Sequence, residues 1–423
     1  MRKHIHKVIS HPLISGSTVL VIGSFTASVI NYLFNRQMGV MLGAVNYGVF
    51  ASLVSIVNIF LVFALTIQLV FTKFTASFVG RGEKGLVGLL FKKGTLWVGA
   101  IALAITVVLL IFSSPVASIL HIAQTGLVQL TAVTLFALFI ASVPLGMLQG
   151  LLKFGFFSFA NISTSLAKLA LGVFFVAFGF QVAGGMLAFF ISSVLTYLVA
   201  CIPLLTYLKN IEHDHPLAIN LHKQIGSYGL PVFLSTLGIT AFTSFDILLV
   251  KVFFYPNQQI AGQYAALSLM GRSIFYLIQP ISFVLFPLIA QKKERGEKLL
   301  GTMALSALLV GVPSVVLCMV YFFLPHLVLA IFFPTKEYAI LSSYLGPFSI
   351  FILFFSFVSL LNSYYLSIGR RKVFIFTIAG AVLEALYITI WHQSLMQVII
   401  GMTVITFLLL LSLLLYYPHE KTP

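Results

Sequence analysis

The sequence predicts an all-α integral membrane protein with twelve transmembrane helices, arranged as two parallel lobes of six helices around a central cavity. Composition and an internal repeat predict this class. Apolar residues make up 60% of the 423-residue chain and charged residues only 8%, whereas soluble domains carry roughly 25% charged residues. The tetrapeptide Arg81-Gly82-Glu83-Lys84 recurs as Arg295-Gly296-Glu297-Lys298, a shift of 214 residues. Two like halves in a membrane chain are typical of transporters, which bind substrate between the halves.

The same shift joins other matches along the chain. Gly48-Val49-Phe50-Ala51 corresponds to Gly262-Gln263-Tyr264-Ala265, and Gly155 corresponds to Gly369. Because one offset relates matches that lie far apart, we interpret the repeat as a duplication of a whole half rather than a chance similarity.

The predicted spans are apolar runs of about 20 residues, the length that crosses the hydrocarbon core of a bilayer. The basic start, residues 2–7, resembles a signal peptide. The apolar run that follows is too long for a signal peptide and lacks a clear cleavage site, so we predict it to be the first span. The twelve predicted spans are 13–35, 48–71, 94–113, 126–149, 157–179, 182–208, 228–252, 262–290, 300–323, 338–366, 373–391 and 394–417.

The spans divide into an N-terminal lobe, residues 1–208, and a C-terminal lobe, residues 228–423, joined by a cytoplasmic linker, residues 209–227. Shifting the first five spans by the repeat offset places each close to its counterpart. Six spans per lobe is an even number, so both lobes cross the membrane in the same sense. The lobes are therefore predicted to be parallel repeats about an axis along the membrane normal.

The basic residues predict the orientation. Of the 24 Lys and Arg residues, three (Lys168, Lys251 and Arg272) lie inside predicted spans and two (Arg36 and Lys336) lie in loops on one side. The remaining nineteen lie on the side of the N-terminus, so by the positive-inside rule both termini are cytoplasmic. The net charge of +15 is thus explained by topology, and nucleic acid is not predicted as a partner.

Five charged residues lie within the predicted spans. Lys168, Arg272 and Glu384 lie ten or eleven residues into their spans, which places them roughly 15–17 Å deep, near the midplane. Asp246 is predicted closer to the outer face, and Lys251 at the outer end. A charge at the bilayer centre costs on the order of 2.5–3.5 kcal/mol, so such residues usually face a cavity or one another.

The repeat relates polar positions of the two lobes. Arg272 corresponds to Asn58, and Lys251 corresponds to Arg36 if a gap of one residue is allowed. Polar groups at related depths in both lobes predict a shared cavity, mainly cationic and suited to an anionic group such as a phosphate. The predicted substrate-binding residues are Arg272, Lys168, Asn58, Arg36 and Lys251, and the predicted coupling or gating residues are Glu384 and Asp246.

Structural alternatives remain open for these charges. Arg272 and Lys168 could each belong to a buried ion pair, with Glu384 or Asp246 as the partner. Lys251, like its repeat partner, could extend to the membrane interface. A direct pair between Asp246 and Lys251 is less favourable, because the two residues are five apart on one helix rather than four.

No enzyme chemistry is predicted. We find no nucleotide-binding loop, nucleophile motif or metal-ligand cluster, and we expect no cofactor. Glu212-His213-Asp214-His215 contains metal-ligand types, but it lies in the linker and its spacing is not a zinc pattern. Cys201 and Cys318 each lie within an apolar run, which gives no disulfide framework.

Six short segments carry a resemblance to a known family. They are Gly16-Ser17, Phe34-x-Arg36, Leu42-Gly43-x-x-x-Tyr47-Gly48-x-Phe50, Asp246-Ile-Leu-Leu-Val-Lys251, Ala261-Gly-x-Tyr264-Ala-Ala and Phe286-Pro287. These segments resemble bacterial polysaccharide-biosynthesis membrane proteins. Those proteins form the oligosaccharide-lipid flippase branch of the superfamily that also holds the multidrug and toxic-compound extruders, the MATE proteins.

The resemblance implies a MATE-like fold and a function in cell-surface polysaccharide biosynthesis. A member of this family flips a polyprenyl-diphosphate-linked oligosaccharide from the cytoplasmic to the outer leaflet of the bacterial inner membrane by alternating access. The expected partners are the lipid-linked oligosaccharide and the bilayer, and we expect a monomer. If transport is coupled to H⁺ or Na⁺, Glu384 or Asp246 would be the acid involved.

Two other functions share parts of this pattern. A multidrug or cation antiporter would have the same fold, but it needs acidic cavity residues more than basic ones. A membrane-embedded glycan polymerase or ligase usually needs a catalytic external loop, and the predicted external loops are short and nearly uncharged. A major-facilitator transporter is disfavoured, because residues 73–93 lack that family's Gly-x-x-x-Asp-Arg pattern.

Overall fold

A computed structural model describes residues 12–80, 82–208, 233–234, 236–255, 257–294, 299–368, 370 and 372–416. Every regular element in these ranges is helical, which confirms the predicted fold class. The predicted linker, residues 209–227, lies outside the described residues. The helices are α1 (Pro12–Gly80), α2 (Lys84–Ile111), α3 (Ser113–Ile119), α4 (Thr125–Gly150), α5 (Phe154–Ala177), α6 (Gln181–Leu208), α7 (Phe245–Phe253), α8 (Gln258–Glu294), α9 (Leu300–Phe323), α10 (Pro325–Phe332), a 3-10 turn (Lys336–Leu341), α11 (Ser342–Ser367), α12 (Val373–Ile390) and α13 (Leu395–Leu415).

Ten segments of the described chain are long and apolar enough to cross a membrane, so the protein is a multi-pass membrane protein. One of them, Ile22–Val79, is 58 residues long and contains the second predicted span and residues 22–35 of the first. The predicted span 262–290 falls within α8, which is not one of the ten segments. The count of twelve spans therefore remains a prediction.

The first two predicted spans are joined by helix rather than by a loop. Residues 36–42 continue α1, and the helix breaks only at Gly43, whose backbone has φ 69° and ψ 167°. A positive φ is readily adopted by glycine, because it has no Cβ. The prediction that Arg36 lies in an external loop is therefore wrong: Arg36 is a half-buried helical residue.

The chain forms two compact units. The first contains residues 1–38 and 56–233, and the second contains residues 39–55 and 234–423. In the first unit, α4 packs against α2 and α6, and α6 also packs against α5. In the second unit, α11 packs against α8, α9 and α13. Each unit is thus built around one helix that contacts several neighbours.

The element order of the two units repeats. A long exposed helix, α2 or α9, is followed by a short helix, α3 or α10, and then by the central helix. In the central spans Thr125–Gly150 and Lys336–Ser367, 61% of the residues of an 18-residue stretch are buried, against 22% in Gly85–Ile111. The exposed helices present large apolar side chains such as Leu96 and Leu308, as lipid-facing helices do. The short helices were not predicted, since they are too short to appear as apolar runs.

Within the second unit, the part of α1 beyond the kink lies directly against the start of α8. Gly48 packs on the backbone of Gly262, its partner in the sequence repeat. A Cβ atom added at Gly262 would overlap the carbonyl oxygen of Ala44. Glycine at these two positions therefore permits the backbones of two helices to touch.

The 3-10 turn fixes the kink of α1 from the side. The Glu337 carboxylate accepts a hydrogen bond of 2.9 Å from the backbone N–H of Ala44, one of the amides left unpaired by the break at Gly43. The Tyr338 hydroxyl donates to the carbonyl oxygen of Gly39 at 3.0 Å. The Gln263 side-chain amide donates to the Glu337 carbonyl oxygen at 2.8 Å. Together these bonds tie α1, α8 and the turn at the point where the helix breaks.

Candidate functional site

The centre of the second unit contains a buried ion pair. The Nη2 of Arg272, on α8, lies 2.6 Å from the Oδ2 of Asp246, in the first turn of α7, and donates a hydrogen bond to it. The side chain of Arg272 is 6% exposed and that of Asp246 is fully buried. This contact is the structural alternative considered for Arg272. It also shows that Asp246 reaches the guanidinium, although the sequence placed Asp246 nearer the outer face.

Tyr264 also contacts the ion pair of Arg272 and Asp246. Its hydroxyl donates to the same Asp246 oxygen at 2.8 Å and also lies 3.2 Å from the sulfur of Met402, on α13. Tyr264 and Arg272 are eight residues apart on α8, about two helical turns, and so share one face of the helix. A carboxylate held by two donors from one helix is a well-positioned acceptor.

Glu384 lies close to this pair but is not bonded to it. It is 2% exposed on α12, and it interacts electrostatically with Asp246 and Arg272. Among the described residues, neither of its carboxylate oxygens has a hydrogen-bond partner. A buried, unpaired carboxyl group within reach of an ion pair is the kind of group that can exchange a proton or a cation.

Lys251 is also buried in the second unit. Its side chain is 2% exposed, and no hydrogen-bond partner for its Nζ occurs within the described part of the chain. This burial disfavours the alternative that the Lys251 side chain extends into water at a membrane interface. The absence of a bond to Asp246 agrees with their unfavourable spacing of five residues.

In the first unit, Lys168 lies between two aromatic rings. Its Nζ is 4.2 Å from the ring centre of Phe189, on α6, and 5.2 Å from that of Phe34, on α1. One turn before Lys168 on α5, the Ser165 hydroxyl accepts a hydrogen bond of 3.0 Å from the Asn31 side chain. Aromatic faces stabilise an ammonium group, and the two rings hold the Lys168 side chain inside the first unit.

The remaining predicted site residues lie on α1. Asn58 and Arg36 are both helical and half-buried in the first unit. Lys168 and Glu384 fall in different units, and an ion pair between them, one of the alternatives left open by the sequence, remains a prediction. Among the described residues, no three His, Cys, Asp or Glu side chains lie close enough together to bind a metal ion. The Glu212–His215 segment lies outside the described residues.

Comparison with known proteins identifies the fold that contains these residues. No protein-family model matches the chain, and no curated protein matches its sequence. An inward-facing multidrug-resistance MATE family transporter of the MOP superfamily superposes with a TM-score of 0.78 at 15% identity, over 93% of this chain and 98% of the other. The protein has the MATE transporter fold.

Two further solved structures share this fold. A MOP superfamily transporter from Pyrococcus furiosus, whose binding pocket of reverse polarity suggests a different function, superposes with a TM-score of 0.69 at 16% identity, over 95% of this chain and 94% of that one. A eukaryotic MATE transporter superposes with a TM-score of 0.66 at 15% identity, over 97% and 98% of the two chains. At these identities the likeness establishes the fold and not the substrate.

Within this MATE fold, sequence reasoning selected the charged residues of the second unit but missed Tyr264. A signal for it was present: Tyr264 lies in the segment matched by the repeat and two helical turns from Arg272. The pairing of Arg272 with Asp246 could not be read from depth alone, because a long guanidinium side chain reaches across more than one helical turn.

Proposed function

We propose that this protein is a membrane transporter that flips a polyprenyl-diphosphate-linked oligosaccharide to the outer leaflet of a bacterial inner membrane, by alternating access of its two halves. The diphosphate is the costly part of such a substrate to move through hydrocarbon, since charged groups lose their hydration there. Buried cations can replace that hydration. The lipid tail can remain in the bilayer.

The proposal rests on two basic side chains that lie inside predicted spans, Arg272 and Lys168. Arg272 uses only part of its hydrogen-bonding capacity on Asp246, and Lys168 is held by aromatic rings rather than by an acid. Cations retained inside spans are usually functional. The neighbour with a pocket of reverse polarity supports the idea that this fold accommodates substrates of different charge.

The alternative is a multidrug antiporter. The solved neighbours include multidrug-resistance MATE transporters, and the second unit contains two buried acids, Asp246 and Glu384. Glu384 is the acid we propose for coupling in either case, because it has no hydrogen-bond partner among the described residues, whereas Asp246 has two donors.

Deletion of the gene in its host separates the two functions. A flippase deletion should accumulate lipid-linked oligosaccharide on the cytoplasmic leaflet, measured by mass spectrometry of extracted lipids after periodate treatment of intact cells. The accumulated glycan should be protected from periodate. A multidrug antiporter deletion should leave the lipid-linked pool unchanged and increase sensitivity to cationic drugs. Accumulated glycan that is exposed to periodate would contradict the flippase, since transport would have already occurred.

A further inference from the structure

Among the described residues of the second unit, four charged side chains are buried: those of Asp246, Lys251, Arg272 and Glu384. Only the Arg272–Asp246 contact meets the distance of an ion pair within the described residues. The four charges balance formally, yet most of the polar atoms of these side chains have no hydrogen-bond partner in the described part of the chain.

The one ion pair is itself incomplete. A guanidinium and a carboxylate can form two parallel hydrogen bonds, but here only Nη2 and Oδ2 are joined. Nε of Arg272 and Oδ1 of Asp246 are buried and have no hydrogen-bond partner within the described ranges. A permanent buried ion pair is stable only when its remaining donors and acceptors are also satisfied. An ion pair with unpaired donors and acceptors is therefore expected in one state of a site that exchanges its hydrogen-bond partners.

We propose that Asp246 is an internal counter-anion that holds Arg272 while the transporter is empty, and that a phosphate group of the substrate displaces it. The proposal rests on the proposed function, since it requires an anionic substrate. A phosphate presents the same two-oxygen edge as a carboxylate and can engage Nε together with Nη2. Asp246 uses only the second of these donors.

A neighbouring group fits such an exchange. The Tyr264 hydroxyl donates to Asp246, so the displaced carboxylate keeps one donor. Asp246 and the phosphate thus compete for one guanidinium, and removal of the Asp246 charge should strengthen phosphate binding.

The test is equilibrium binding to the purified full-length protein in detergent, by isothermal titration calorimetry, with farnesyl diphosphate as the probe. Asp246→Asn should bind the probe about ten-fold more tightly than the wild type, because a charge-assisted competitor is lost. Arg272→Gln should lose binding, and Arg272→Gln combined with Asp246→Asn should not regain it. Inorganic pyrophosphate, titrated in parallel, shows whether the gain needs the lipid tail or only the diphosphate.

A second variant covers the case in which Asp246→Asn does not fold. Tyr264→Phe removes one of the two donors on Asp246 while leaving every charge in place, and it should weaken probe binding by a smaller factor, because the displaced carboxylate then loses the donor that stabilises it. Tyr365→Phe is its matched control, since Tyr365 is also fully buried in this unit and donates to the Leu413 carbonyl oxygen. The control should not alter affinity.

The outcomes separate this proposal from the function on which it rests. If Arg272→Gln abolishes binding, Asp246→Asn does not strengthen it and Tyr264→Phe does not weaken it, the anion site stands and the counter-anion role is overturned. If neither the wild type nor any variant binds farnesyl diphosphate or pyrophosphate, the diphosphate function fails, and the counter-anion role fails with it.

Discussion

At the scale of single residues, charged side chains of the second unit that lie far apart in the sequence are in contact in the structure. Arg272 was expected to face substrate directly, and in the structure it first meets Asp246. Removal of one member of a buried pair leaves an uncompensated charge, which costs on the order of 3–5 kcal/mol. Tests of Arg272 must therefore separate loss of transport from loss of folding.

We expect Arg272→Ala to abolish glycan export. The single variant leaves Asp246 unpaired, so the matched variant is Arg272→Ala with Asp246→Ala, which removes both charges. The double variant should reach wild-type levels in the membrane and still fail to export, measured as surface polysaccharide against protein on a membrane immunoblot. Arg272→Lys should restore only part of the export, since an ammonium group replaces a planar fork. Normal export by the double variant would show that the central cation is dispensable.

Lys168 and Glu384, on α5 and α12, give a second test. We expect Lys168→Glu combined with Glu384→Lys to fold but not to transport, because an anionic substrate would meet reversed charges in both units. If the two residues formed a permanent pair, the swap would restore folding and transport together. Transport and thermal stability are measured for the swap and for each alanine variant. Normal transport by both alanine variants would exclude either role.

At the scale of secondary-structure elements, the break in α1 depends on contacts that sequence inspection did not identify. Glu337 caps the amide that Gly43 leaves unpaired. We expect Glu337→Ala to lower the stability of the purified protein by about 1 kcal/mol, as the loss of a helix cap does. Glu337→Gln keeps an acceptor oxygen and should lose less. Thermal unfolding in detergent, followed by circular dichroism, measures both; equal stability of Glu337→Ala and the wild type would contradict the capping role.

Because α1 and α8 approach each other closely, we expect substitution by alanine to be tolerated differently at two helical glycines. Gly262→Ala places a methyl group against the Ala44 carbonyl oxygen, where backbone must move to admit it. We expect a loss of stability of about 1–3 kcal/mol, the usual range for overpacking. Gly301→Ala is the control, because nothing lies within 4 Å of its added Cβ, and alanine there should be neutral or stabilising. Equal effects in thermal unfolding would show that the helices are not in contact.

At the scale of the whole molecule, the charge asymmetry predicts one topology. Reporter fusions at Lys84, Glu212 and Arg371 should all report the cytoplasm, because each follows an even number of predicted spans. Paired alkaline phosphatase and green fluorescent protein fusions measure this, with a fusion at Lys336 as the external control. An external signal at any of the three sites would show that a span has been missed or added.

The membrane class was determined by the sequence alone, which also predicts the approximate spans and their orientation. A bilayer requires each spanning segment to satisfy its own backbone hydrogen bonds, so apolar length and flanking Lys and Arg are sufficient to predict them. The repeat also matched Gly48 with Gly262 before the structure showed that these glycines touch.

Only the tertiary structure decided which side chains meet. It paired Arg272 with Asp246, covered Lys251, left Glu384 without a hydrogen-bond partner among the described residues and confined the break in α1 to Gly43. These outcomes depend on the rotation of each helix about its axis and on the reach of its side chains. Both are set by packing against neighbouring helices, because lipid provides little preference for one apolar face over another.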